Sequence, residues 1–85
     1  MKVVGIQEKK GNYQGTDYHN YLIHCLKDDE EALGQISEVV KVKYAKAKEV
    51  FGRVMSAHDL NELIGKEIRC YYDRYGAATE IRVIK

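Results

Sequence analysis

The chain has 85 residues, of which 45% are hydrophobic, and its formal net charge is +1. A chain of this length forms one small domain, and no apolar run approaches the ~20 residues of a membrane-spanning helix. The near-zero net charge excludes a strongly basic protein that binds polyanions over its whole surface, so a nucleic-acid site would have to be a local patch.

The first part of the chain is predicted to form two strands joined by a loop. Val3, Val4 and Ile6 are β-branched or apolar residues in a short run that is typical of a strand. Residues 10–17 contain two glycines, an asparagine and an aspartate, a composition typical of a turn. Residues 18–27 predict a second strand, but both of its faces are apolar, so alternation does not decide which one faces the core.

An acidic DDEE run separates the second strand from a third one. In this third segment Val40 and Val42 alternate with Lys41 and Lys43. Alternation with a period of two predicts a half-buried strand, so its outer face is expected to be basic.

The segment from residue 45 to residue 64 is predicted to be helical. Helix formers dominate residues 45–55, with apolar residues at near-helical spacing. A second short helix is predicted to begin at Ser56, a candidate N-cap with Asp59 three residues later, and Gly65 is placed to end it.

The C-terminal stretch EIRCYYDRYGAATEIRVI predicts a β-hairpin. Asp73 and Gly76 suit its turn, because aspartate accepts hydrogen bonds from the following backbone and glycine adopts a positive φ. By alternation, Tyr72 is expected to face the core and Tyr71 the surface, while Tyr75 is expected at the tip of the loop.

Three strands, a helical segment and two further strands follow the β-β-β-α-β-β order of the OB-fold, a five-stranded barrel. We therefore predict a mainly β domain with a short helical segment, folded as an OB-fold-like barrel over residues 1–85. A ferredoxin-like sandwich fits less well, because it needs an early helix where this chain has residues 10–17. An SH3-like barrel would leave the helical segment unexplained.

Short stretches spread along the chain carry a resemblance to a known family. They are KVVGI at residues 2–6, residues 21–25, GKEI at residues 65–68 and YYDRYG at residues 71–76. Through them the chain resembles the small helix-destabilising proteins of phages and conjugative elements, which bind single-stranded DNA. The resemblance implies an OB-type barrel that binds single strands of DNA or RNA without strong sequence preference and that often forms a homodimer.

The resemblance also implies where the ligand would lie. In this fold the groove runs over the second and third strands, between the loop joining strands one and two and the loop joining strands four and five. Basic residues there would meet phosphates, and tyrosines would stack on bases. The candidate residues are Lys9, Lys10, Tyr13, Tyr18, Tyr21, Lys41, Lys43, Tyr71, Arg74 and Tyr75.

Each of these candidates also has a purely structural interpretation. Tyrosine fits the edge of a core, and seven tyrosines against one phenylalanine indicate that the aromatic rings often keep a polar end near solvent. Lysines on a strand are often a solvated face or a guard against edge-to-edge aggregation. The near-neutral charge favours an alternative function, a protein-interaction or self-association module of a mobile genetic element that uses the same barrel.

No catalytic or metal-binding motif is recognised in the sequence, so we expect no enzyme activity, no cofactor and no metal site. Cys25 and Cys70 are far apart in sequence and are expected to be reduced, buried thiols. The charged N-terminus does not resemble a signal peptide, so we expect a cytoplasmic protein without membrane association.

Overall fold

The structure, a computed structural model, describes residues 1–84 of the chain. It is mainly β, with an antiparallel sheet of three strands, a hairpin of two and two short α-helices. The elements are β1 (Lys2–Tyr13), β2 (Thr16–Asp28), β3 (Gln35–Lys43), α1 (Ala47–Phe51), α2 (Ala57–Leu63), β4 (Ile68–Tyr72) and β5 (Ala78–Val83), with a 3₁₀ turn at Tyr44–Lys46. The predicted order of strands and helical segment is confirmed. Within the described residues, no helix is long and apolar enough to cross a membrane.

β1 and β2 form a long hairpin whose first strand extends further than predicted. β1 pairs with β2 along its length, so the turn predicted over residues 10–17 is present but much shorter than predicted. The connection is reduced to Gln14 and Gly15, whose φ angles of 51° and 80° are both positive, as in a type I′ turn. The Asn12 side chain holds this turn, since its oxygen accepts from the Gly15 N–H at 3.2 Å and its amide donates to Asp17 at 2.9 Å.

β3 pairs with β2 and has the two faces that the alternation predicts. Val40 and Val42 are buried, while Lys41 and Lys43 are exposed. The pairing also decides the orientation of β2, which alternation left open. Tyr21, Ile23 and Cys25 face the core.

The helical segment consists of two helices, the first shorter than predicted. α1 ends at Gly52, whose φ of 80° is left-handed and closes the helix. Ser56 caps α2 as predicted: its hydroxyl accepts from the Asp59 N–H at 3.1 Å, and the Asp59 carboxylate accepts from the Ser56 N–H at 2.9 Å. Gly65, with a φ of 89°, follows α2 in the predicted closing position.

The turn between β4 and β5 is built as predicted. The Asp73 carboxylate accepts from the N–H groups of Tyr75 at 2.8 Å and Ala77 at 3.0 Å. Gly76 has a φ of 82°, a value that only glycine adopts without strain. Tyr71 is exposed, and Tyr75 is exposed in the turn, as predicted.

The prediction that Tyr72 belongs to the core is wrong, because 44% of this residue is exposed. Tyr72 follows Ile68 and Cys70 at two-residue intervals, and of these Ile68 is fully buried and Cys70 half-buried. β4 therefore leaves the core progressively, and Tyr72 stands beyond its last packed position. Burial of its inner edge still raises the pKa of the Tyr72 hydroxyl to about 12.

The beginning of β1 joins the two sheets. Lys2 forms an antiparallel bridge with Glu67, and the Ile68 N–H donates to the Met1 carbonyl at 2.7 Å. Since this pairing is antiparallel, β4 leads away from the β1–β2 turn, and the tips of the two hairpins lie at opposite ends of the protein. No closed barrel is detected in the part of the chain that the structure describes.

The core lies between the two sheets and draws one buried residue or more from every strand. Its members include Val3, Ile23, Val40, Ile68 and Ile81, and α1 adds Val50. Both cysteines are free thiols, and Cys25 is buried as predicted whereas Cys70 is half-buried. Burial raises the pKa of the Cys25 thiol to about 11.

Candidate functional site

The outer face of the three-stranded sheet, which points away from the core, collects three of the predicted lysines. Directly opposite residues of an antiparallel sheet lie on the same face, so the register places these side chains together. Lys9 of β1 is opposite Asn20 of β2, which is opposite Lys43 of β3. Lys41 lies one row further, opposite Leu22. We call this surface, with Tyr13 and Tyr18 towards the β1–β2 turn, the lysine face.

Acidic residues are almost absent from this face. Of the acids in β1–β3, Glu8, Asp17 and Glu38 stand at positions that face the other way. Of these acids, only Asp28 lies on the same face as the lysines, and it stands at the last position of β2, far from the β1–β2 turn. The two sheet faces therefore differ in charge, although the chain as a whole is nearly neutral.

The lysines of this face are not neutralised by the protein itself. Among residues 1–84, Lys9, Lys41 and Lys43 form no salt bridge, although Lys27, which points to the other face, is held at 2.9 Å by Glu38. Exposed ammonium groups without a carboxylate partner can bind anionic groups of a ligand at no loss of internal ion pairs.

The end of the Tyr18 ring lies over a glycine, in the space that a side chain would otherwise fill. Tyr18 is paired with Gly11 across the hairpin, and a Cβ placed on Gly11 would stand 2.8 Å from the Tyr18 Oη and 3.0 Å from its Cζ. The ring thus rests on the bare backbone of β1, and the residue keeps 44% of its surface exposed. A ring held in this way offers a flat apolar surface to a ligand.

Tyr13 stands beside the turn on the same face, paired with Thr16 at the last position of β1. It is exposed, and it belongs to a strand instead of the loop that the sequence predicts. The turn built by Asn12 and Gly15 fixes the strand end that carries it. Tyr13 and Tyr18 are therefore presented by a hydrogen-bonded pair of strands and not by an irregular loop.

Two of the predicted residues in the β1–β2 hairpin are not part of the lysine face. Lys10 lies opposite His19 on the other side of the hairpin, and Tyr21 lies there as well, opposite Glu8. Tyr21 is only 7% exposed, and burial raises the pKa of its hydroxyl. Its ring belongs to the core and points away from the lysine face.

The second hairpin is not brought to this surface. Tyr71, Arg74 and Tyr75 lie on or after β4, which leads away from the β1–β2 turn. The Arg74 guanidinium is 4.9 Å from the centre of the Tyr75 ring and donates to its hydroxyl at 2.7 Å. Arg82 covers the Tyr71 ring at 5.7 Å. Both rings therefore already have a cationic partner on one side.

Sequence reasoning missed two residues at the centre of the face. Asn20 lies between Lys9 and Lys43, and Leu22 lies next to Lys41. Both are even-numbered residues of β2 and share a face with the lysines. The sequence alone could identify them only if it showed that the odd-numbered residues of this strand face the core. Asn20 adds a hydrogen-bonding amide between two cations, and Leu22 adds an apolar surface.

Chemically, the lysine face can bind an extended anion and pack against flat rings. Among residues 1–84, no group of three or more His, Cys, Asp or Glu side chains is arranged to hold a metal ion. Comparison with family models, with curated proteins and with solved structures finds no match to this chain. The function must therefore be inferred from the chemistry of the face.

Proposed function

We propose that this protein binds single-stranded nucleic acid, DNA or RNA, on the lysine face and without strong sequence preference. The observation that carries the proposal is the separation of charge in the three-stranded sheet. Lys9, Lys41 and Lys43 share one face with Tyr13 and Tyr18, whereas the neighbouring acids point to the other. A local cationic surface with aromatic platforms is the pattern that single-strand-binding proteins use.

In the proposed complex, phosphates lie along the lysines and bases lie against the tyrosines. Contacts from ammonium groups to phosphates position a strand but carry no sequence information. Stacking on a tyrosine contributes ~1–3 kcal/mol per base and tolerates any base, since every base has a flat face. Tyr18, supported from below by Gly11, is the best-placed platform for such a contact.

Single strands are favoured over duplexes because stacking requires bases that are not paired inside a helix. A duplex could still touch the lysines through its phosphates, but it would leave Tyr13 and Tyr18 without partners. The ratio of the two affinities is therefore a measure of the aromatic contribution.

We further propose that the two sheets are the halves of an OB-type barrel. Three features support this: the bridge between Lys2 and Glu67, the packing of β5 near β3, and the helices between β3 and β4. The ligand of an OB-fold lies over the second and third strands, which matches the position of Lys41 and Lys43. Membership in the helix-destabilising proteins of phages and conjugative elements stays a prediction.

The test is a titration of fluorescent oligo-dT with the purified protein, followed by anisotropy at several salt concentrations. If the lysines of the face meet phosphates, log affinity against log salt should have a slope of roughly −2, at about −0.7 per phosphate contact. A hairpin duplex of the same length should bind more weakly. Absence of saturable binding at low salt would contradict the proposal.

Self-association is the second candidate, and one observation favours it. β1 and β3 are the outer strands of their sheet, and beyond Val3 the described part of β1 is hydrogen-bonded to β2 alone. An open strand edge can pair with a second copy of the chain. Sedimentation measurements with and without oligo-dT separate the two functions, since a dimer that ignores the oligonucleotide would favour self-association alone.

A further inference from the structure

A concavity lies on the side of the β1–β2 hairpin opposite to the lysine face. It is a groove of about 530 Å³ between the hairpin and α2, and we call it the inner groove. Small-ligand sites typically measure about 300–1,000 Å³ and combine apolar walls with a few polar groups. The size of the inner groove is therefore that of a site for a small molecule or a single base.

One wall of the inner groove is aromatic. The rings of His19 and Tyr44 are stacked, with centroids 4.1 Å apart and planes 9° from parallel. The His19 Nε2 donates to the Glu8 carboxylate at 2.7 Å, which fixes the imidazole and lowers the pKa of the Glu8 carboxyl. Tyr44 is 53% exposed, so the stacked pair still presents ring surface to solvent.

The other wall is supplied by α2 and the residues beside it. Leu60 and Ile64 line the groove, and Ile64 is an exposed apolar side chain. Asn61 stands between them in sequence, and Lys10 lies on the hairpin directly opposite His19. Among the described residues, the Lys10 ammonium forms no salt bridge, although its charge acts on nearby Glu8, and the Asn61 side-chain amide forms no hydrogen bond. Both groups can therefore meet a ligand in the groove.

We propose that the inner groove binds a purine base. The aromatic pair and the aliphatic wall suit a flat ring, and stacking on such a platform is the main source of binding energy for bases. Lysine pairs with the O6 and N7 atoms of guanine and asparagine with the N6 and N7 atoms of adenine, so Lys10 and Asn61 both suit purine edges. A pyrimidine is smaller and has no N7 atom to accept a hydrogen bond.

The base can come from a free nucleotide or from a strand held on the lysine face. Lys9 and Lys10 are consecutive in β1 and point to opposite sides, so a strand that crosses the open edge of β1 would pass from the lysine face to the inner groove. Where the base belongs to a bound strand, the inference deepens the proposed function and rests on it. Where the nucleotide is free, the two are independent.

The test uses ¹⁵N-labelled protein titrated with GMP, AMP and CMP in NMR experiments. GMP and AMP are expected to bind saturably and to shift the amides of His19, Tyr21 and Asn61, and CMP is expected to bind more weakly. Tyr44→Ala should weaken purine binding by about 5-fold or more, the lower end of the loss for one stacked base. Tyr75→Ala removes an even more exposed tyrosine, in the turn of the other hairpin, and should leave purine binding unchanged.

The outcomes distinguish the inference from the proposed function. Absence of shifts at millimolar GMP, shifts confined to the lysine face, or equal binding by Tyr44→Ala would each overturn the inference, whatever oligo-dT does. A single guanine placed in oligo-dT identifies the source of the base. If the guanine raises the affinity for the oligonucleotide and Tyr44→Ala abolishes that increase, the base belongs to the bound strand. If GMP binds but the guanine does not raise the affinity, the groove binds a free nucleotide. A melting curve confirms that Tyr44→Ala is folded.

Discussion

Replacing Gly11 with alanine tests whether Tyr18 is a stacking platform, because the change displaces the ring without removing it. The new Cβ would stand 2.8 Å from the Tyr18 Oη and 3.0 Å from its Cζ. Non-bonded heavy atoms pack at about 3.5–4.0 Å, so the end of the ring must move by roughly 0.5–1 Å. Gly11 does not have a left-handed φ, so alanine fits its backbone conformation.

The size of the effect follows from that displacement. A base stacked on a tyrosine contributes ~1–3 kcal/mol, and a gap of about 0.5–1 Å loses roughly a quarter to a half of a packing contact. Gly11→Ala should therefore weaken strand binding by about 0.3–1.5 kcal/mol, or roughly 1.5- to 13-fold in Kd. Tyr18→Ala should weaken it by roughly 5- to 150-fold.

The assay is oligo-dT anisotropy at low salt, with Gly5→Ala as the matched control. Gly5 lies on the same face of β1, and a Cβ there meets nothing within 4 Å. Gly5→Ala should bind as the unmodified protein does. Gly5→Ala should melt slightly higher than the unmodified protein, since alanine stabilises a strand by about 0.5–1 kcal/mol relative to glycine. Gly11→Ala should gain less, because the displaced Tyr18 ring offsets part of that stabilisation. If Gly11→Ala and Gly5→Ala bind equally well, Tyr18 does not stack on the ligand.

Two further predictions concern charge and the second turn. Changing both Lys41 and Lys43 to glutamine should reduce the magnitude of the salt slope by about 1.4. Changing the exposed Lys46 and Lys48 to glutamine removes the same charge and should leave the slope nearly unaltered. Equal slopes for the two double variants would show that β3 does not contact the ligand. Gly76→Val forces a branched residue into a φ of 82° and should lower stability by about 1–2 kcal/mol, or roughly 5–15 °C in Tm by circular dichroism. A melting temperature that Gly76→Val leaves unchanged would show that the turn relaxes at little cost.

The elements that the sequence predicts best are those decided by neighbouring residues. The alternation around Lys41 and Lys43 is strict enough to place both on the exposed face of β3. Ser56 and the residue three positions later form the predicted cap, and Gly76 adopts the predicted positive φ. In each case the chemistry operates within four residues, so no knowledge of the rest of the fold is required.

The errors have causes that lie further apart along the chain. Gly11 and Asn12 are typical of loops, yet the ladder continues through them because β2 pairs with them residue by residue. Alternation places Tyr72 on the core-facing side of β4, but it does not show where along the strand the core ends. The position of Asn20 between two lysines depends on the register of three strands, which no local pattern contains.

The β1–β2 hairpin extends well beyond the core, and every residue from position 7 to position 18 is exposed. Substitutions in this arm remove little buried surface, so they are expected to change stability by less than about 0.5 kcal/mol in most cases. The packed residues that fold the domain are thus separate from the residues of this arm that are proposed to hold a strand, Lys9, Tyr13 and Tyr18. Selection could therefore adjust affinity or ligand preference through one exposed side chain at a time, while the buried residues of β2 and β3 keep the fold unchanged.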